Sequence, residues 1–129
     1  MQTVLLIEDS KLLRLANEST LRKAGYRVLS AADGEEALSV AHNGQPDVIL
    51  LDILLPKISG EAVLRQLKED SATAQIPVVV LSGLSQANAE RLQSDGAADF
   101  LEKSKMLADP QCLLHAIERI LGPITTATQ

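Results

Sequence analysis

Five side chains in this sequence have the types and the spacing to do phosphorus chemistry together. They are the acidic pair Glu8 and Asp9, then Asp52, Ser82 and Lys103. Each follows a short apolar run: Val4 to Ile7, Val48 to Leu51, Val78 to Leu81, and Phe100-Leu101 with its flanks. Gathered at one edge of a sheet, they would form a group of three carboxylates, a hydroxyl and an ammonium. Three carboxylates at close range cannot all stay ionised in a partly buried site without compensation. A hard divalent cation such as Mg²⁺ prefers oxygen ligands and supplies that compensation. A carboxylate beside such a cation and a lysine can act as a nucleophile toward phosphorus. The positive charges then offset charge on the transferring oxygens, and a small hydroxyl donates to one of them. The group therefore reads as an aspartate, Asp52, that accepts a phosphoryl group.

Singly, each residue has an ordinary explanation. Asp52 suits a strand-end turn, Glu8-Asp9 a helix start, Ser82 a turn or cap, and Lys103 a solvated surface. What those explanations leave unaccounted for is the recurrence at the ends of successive runs. The runs must therefore be strands. The central ones are continuous rather than alternating, as in parallel strands buried on both faces. Arg27 to Ala31 makes a fifth.

Between the runs lie helical patterns. Leu13, Ala16, Thr20 and Ala24 are predicted to face inward, with Gly25 ending that helix. Ala37, Leu38 and Ala41 mark a second helix, and Val63, Leu64 and Leu67 a third. Ala89 and Leu92, closed by Gly96, mark a fourth. The last begins with Asp109 as N-cap and Pro110 at the first position, buries Leu113, Ile117, Ile120 and Leu121, and stops at Gly122-Pro123. Five strands alternating with five helices imply a (βα)5 fold with right-handed crossovers. Ligands of such open α/β sheets bind at the carboxyl ends of the strands, where the five side chains lie.

Composition narrows the rest. The chain has 129 residues, 46% of them hydrophobic, with Tyr26 and Phe100 as its two aromatics. The core must be aliphatic. A net charge of −5 argues against direct nucleic-acid binding, which needs clustered Lys and Arg. Cys112 is alone, so no disulfide framework exists. The longest apolar run is too short to insert in a membrane, and the start is too acidic for a signal peptide. A cytoplasmic location is the expectation. No G-x-G-x-x-G or Walker A loop is present.

In this light the sequence resembles the receiver domain of two-component response regulators, in its single-domain, chemotaxis-regulator-like form. The resemblance rests on Glu8-Asp9, on Leu51-Asp52-Ile53-Leu54-Leu55-Pro56 with Gly60, on Val80-Leu81-Ser82-Gly83, and on Gly96 to Lys103. It implies a flavodoxin-like sandwich with a five-stranded parallel sheet in order 2-1-3-4-5, over residues 1–122. Residues 123–129 would be a flexible tail or the start of a linker. It implies Asp52 as phosphoacceptor, with Lys103 and Ser82 binding the phosphoryl group. Mg²⁺, or another divalent cation such as Mn²⁺, would be held by Asp9, Asp52 and the backbone carbonyl of Leu54, with Glu8 acting through water. Ser82 and Phe100 would form the conformational switch. The donor would be a sensor histidine kinase or a histidine phosphotransfer domain, and the output an unspecified protein or domain. Such a protein is a signalling switch that catalyses only its own phosphorylation and dephosphorylation. Leu12 and Leu15 point away from the inward face of the first helix and would dock the donor. A pseudo-receiver, which binds partners without phosphorylation, stays open beside this reading.

Three departures from the family pattern carry expectations. Ser104 stands where the family usually has a cis-bonded Pro. A cis bond before a non-proline residue costs roughly 2.5–4 kcal/mol, so a trans Lys103–Ser104 bond and a rearranged following segment are predicted. Phe100 replaces the Tyr of many members and lacks a hydroxyl. Leu54 and Leu84, two residues beyond Asp52 and Ser82, cannot orient an attacking water, which predicts slow self-dephosphorylation.

Overall fold

The apolar runs become strands in a computed structural model, which describes residues 2–83 and 96–122 and, of Leu107, only the backbone. The strands are β1 (Thr3–Ile7), β2 (Arg27–Ala31), β3 (Val48–Asp52), β4 (Val78–Ser82) and β5 (Asp99–Glu102). All pair in parallel, in the expected order β2-β1-β3-β4-β5. The described helices are α1 (Lys11–Lys23), α2 (Gly34–Gly44), α3 (Gly60–Glu69), α4 (Lys103–Ala108) and α5 (Gln111–Leu121).

Side chains alternate across the sheet and build two cores. Leu5, Ile7, Ile49, Leu51, Val78 and Val80 pack with Ala37, Ala41, Val63, Leu64 and Leu67 of α2 and α3. Val4, Leu6, Val48, Leu50, Val79 and Leu81 pack on the other face with Leu21, Leu113 and Ile117 of α1 and α5. Every residue of β3 and β4 is buried, which is why those runs show no polar alternation. Each such aliphatic side chain contributes about 1.5–3 kcal/mol relative to exposure.

Caps start the helices close behind the strands. Ser10 accepts from the Leu13 N–H, Asp33 from that of Glu36, and Ser59 from that of Ala62. Gly25, at φ +102°, ends α1 as expected. Its N–H donates to Arg22 and that of Tyr26 to Leu21, both across the helix end. Asp109 accepts from the Gln111 N–H at 3.0 Å, but α5 begins one residue later than expected: Pro110, not Asp109, stands at its N-cap, because Pro110 offers no N–H to a first helical turn.

Three further differences from expectation concern helices. Ala16 is exposed and Leu13 only half-buried; Glu18 and Leu21 face inward instead. Arg14 turns back to donate to the Glu8 carbonyl at 2.8 Å, and Arg22 partners Glu18 at 3.3 Å. With those polar groups satisfied, the inward face is rotated from the one that apolar spacing suggests. The second difference is α4. Without Pro after Lys103 the chain passes from β5 directly into a helix that buries Met106, and no cis peptide occurs among the described residues. Third, the helix expected around Ala89 and Leu92, Leu84, and the tail 123–129 lie outside the described residues.

Candidate functional site

The carboxyl ends of β1, β3, β4 and β5 bring the predicted chemistry together. Asp52 is the last residue of β3, and the register pairs it with Leu81, one before Ser82 at the end of β4. Ser82 lies opposite Glu102, the residue before Lys103. One residue after β1 ends comes Glu8, whose N–H donates to the Ala31 carbonyl at 3.0 Å and fixes the turn. The order reverses between β1 and β3, the crevice where such sheets bind ligands.

Asp52 is 2% exposed and held at both oxygens. Lys103 Nζ donates to Oδ2 at 2.7 Å, and the Leu54 N–H donates to Oδ1 at 3.1 Å. Glu8 is 1% exposed. Its Oε2 accepts from the Ser10 N–H at 3.1 Å, and Oε1 lies 3.0 Å from Lys103 Nζ. That second contact is an ion pair, and Oε1 is otherwise a buried oxygen without a hydrogen bond. Burial pushes the Glu8 carboxyl above its ordinary value, and the neighbouring Asp52 charge adds to the rise. Burial works against the Lys103 charge too, but the carboxylates of Asp52 and Glu8 beside it outweigh that and raise its pKa. Asp9 is exposed at the mouth. Carboxylate oxygens of Glu8, Asp9 and Asp52 all lie within 4.8 Å of one another.

This donor set fits a hard divalent cation. Three carboxylates face one ammonium, and a buried oxygen of Glu8 still lacks a donor. The same geometry leaves Asp52 as an oriented carboxylate with a cation already on one oxygen. Ser82 is buried at the end of β4. Phe100 is half-buried and packs against the α2–α3 core. Leu12, Leu15 and Leu54 are exposed, at 78%, 51% and 66%.

Sequence reasoning missed three residues around this site. Arg14 clamps the carbonyl of Glu8. Asp33 caps α2 and pairs with Lys57 in the β3–α3 loop. An Asp-x-x-Glu capping box at Asp33-Glu36 was the readable signal for one of them; nothing in the sequence points from Lys57 to Asp33.

Comparison with known proteins agrees with this geometry. Residues 4–118 match the response regulator receiver domain family. Protein PilH of Pseudomonas aeruginosa is 32% identical over 123 residues, which cover 95% of this chain and 99% of that protein. The DNA-binding dual master transcriptional regulator RpaA of a Synechocystis strain is 37% identical over 126 residues, but the chain spans only 52% of its length. Among solved structures, chemotaxis protein CheY4 of Vibrio cholerae superposes with a TM-score of 0.85 at 30% identity, covering 93% of this chain and 98% of that one. The receiver domain of the sensor histidine kinase PA1611 from Pseudomonas aeruginosa, solved with magnesium in its active-site cleft, gives a TM-score of 0.82 at 30% identity, covering 94% and 98%. No helix among the described residues is long and apolar enough to cross a membrane. The fold, the strand-end acidic pocket and the sequence match agree: this chain belongs to the response regulator receiver domains.

Proposed function

We propose that Asp52 accepts a phosphoryl group from a phosphohistidine donor, and that the receiver, taken as residues 1–122, then signals to an output partner. One observation carries the reading: Lys103 Nζ sits 2.7 Å from an Asp52 oxygen, beside a buried Glu8 oxygen that lacks a hydrogen-bond donor. The free lone pair of the Asp52 carboxylate attacks phosphorus. A P–O bond forms, the donor's P–N bond breaks, and the electron pair leaves with the imidazole nitrogen. Lys103 shifts from the carboxylate to a phosphoryl oxygen, and Ser82 donates to another. Asp9, Asp52 and the Leu54 carbonyl would hold Mg²⁺ or Mn²⁺, with Glu8 behind them. The cation, when bound, supplies charge compensation for the phosphoryl oxygens. Phe100, already half-buried, completes the switch by packing alone, since it has no hydroxyl. Leu12 and Leu15 offer the donor an apolar contact beside the site. The donor would be a sensor histidine kinase or a phosphotransfer domain in the cytoplasm.

The test is acetyl phosphate with Mg²⁺, followed by intact mass. The wild-type chain is expected to gain one phosphoryl group, and Asp52→Asn to gain none. A wild-type chain that gains nothing in the presence of Mg²⁺ would make this a pseudo-receiver, which acts by binding alone.

A further inference from the structure

The loop between β3 and α3 contains a backbone conformation that the phosphoryl chemistry does not itself use. The Ile58 N–H donates to the Pro56 carbonyl at 2.8 Å, and Lys57 between them has φ +66°. A hydrogen bond spanning three residues about a positive φ is the rare, strained form of the γ-turn. Glycine accepts such an angle freely. A lysine keeps it only where the surroundings over-determine it.

Those surroundings lie in the first turn of α2. Lys57 Nζ lies 3.6 Å from Asp33 Oδ2. Behind that pair, Gly34 packs so closely on the loop that a Cβ there would meet Ile58 Cβ at 3.0 Å. Asp33 is itself fixed. Its Oδ1 accepts from the Glu36 N–H at 2.9 Å, and Glu36 Oε1 accepts from the Ala32 N–H at 2.7 Å. One residue earlier, the Ala31 carbonyl receives the Glu8 N–H. The short connection from β2 to α2 therefore holds the acidic turn through Ala31 at one end and the loop that carries Leu54 through Asp33 and Gly34 at the other.

We infer that Lys57 and Asp33 form a latch that sets the spacing between the two halves of the cation site, Asp9 on one side and Asp52 with the Leu54 carbonyl on the other. The inference rests on the phosphoacceptor reading and deepens it. Lys57 is a positioning residue that acts through its loop and not through contact with the reacting atoms. The pair is partly exposed, with Lys57 at 62% and Asp33 at 23%, so its effect is small and screened by salt.

Titration of the full chain with Mn²⁺, read by the electron-spin signal of free metal, tests the latch. Lys57→Gln and Asp33→Asn, the second of which keeps the helix cap, are expected to weaken Mn²⁺ binding about two- to fivefold. The double variant is expected to be no weaker than either single one. Lys57→Arg retains wild-type affinity, and the gap between wild type and Lys57→Gln closes in 1 M salt, taken as about a 3 Å screening length. Lys57→Gly, which is unstrained at this φ and so folds, shows the same weakening. The rate of phosphorylation by acetyl phosphate at saturating Mn²⁺ stays unchanged. Equal affinity of wild type and Lys57→Gln, or additive losses in the double variant, overturns the latch. A wild-type chain that takes up neither Mn²⁺ nor a phosphoryl group overturns the phosphoacceptor reading beneath it.

Discussion

Leu54 gives its backbone to the site and its side chain to solvent. Its N–H holds Asp52 Oδ1 while the isobutyl group stands 66% exposed. A polar side chain there could hold a water in line with the phosphorus of a phosphorylated Asp52; leucine has no donor or acceptor to do so. We expect Leu54→Asn to shorten the life of the phosphorylated state severalfold with the fold intact, measured by loss of label after removal of the donor. An unchanged lifetime would count against leucine as the brake. The roles of Asp9, Asp52, Ser82 and Lys103 could be proposed from sequence because each stands at the end of an apolar run, and the fold brings run ends together. Arg14 and Lys57 were not legible. Their positions depend on a carbonyl six residues back and on a carboxylate in another loop, and neither relation leaves a periodic trace.

Among the elements, the junction of β3 and α3 tolerates the least. A Cβ on Gly60 would lie 2.5 Å from Ile53 Cα and 2.7 Å from the carbonyl oxygens of Asp52 and Ile53. These are backbone atoms at the junction that holds Asp52, the proposed phosphoacceptor, and they cannot yield as a side chain would. Gly60→Ala is expected to cost about 2 kcal/mol or more by denaturant unfolding, while Gly83→Ala, with nothing within 4 Å, should stay near wild type. An equal effect of the two substitutions would show that this contact relaxes freely. The strands were legible because burial on both faces leaves unbroken apolar runs. The inward face of α1 was not, because Glu18 is buried with Arg22 as partner and Ala16 is left outside. Six-residue α4 was missed as well: it is too short for a helical repeat, and what lets it begin at Lys103 is the absence of a proline.

Taken whole, the molecule spreads its acid sensitivity beyond the pocket. Asp33 is held below its ordinary value of 3.8, chiefly by the Glu36 N–H. Asp70 is likewise lowered, chiefly by the Ala72 N–H and then by His42. A carboxyl lowered in the folded state adds stability above its unfolded value and loses it as pH falls through the folded one. Stability should therefore decline as pH drops from 3.8, and Asp70→Asn should flatten that decline in melting temperature against pH. An acid limb as steep in the variant would remove Asp70 from the account. The strand order has a consequence of another kind. Among the described residues it leaves β2 and β5 as the edge strands of a sheet whose middle is aliphatic up to the polar strand ends. β2 opens with the exposed Arg27, and β5 runs from Asp99, tied to Arg119 at 2.9 Å, to Glu102. A foreign strand that tried to extend the sheet would have to bring its backbone against charge on either side. The chain thus keeps its most adhesive strands inside and meets its neighbours in a crowded solution with edges that discourage aggregation.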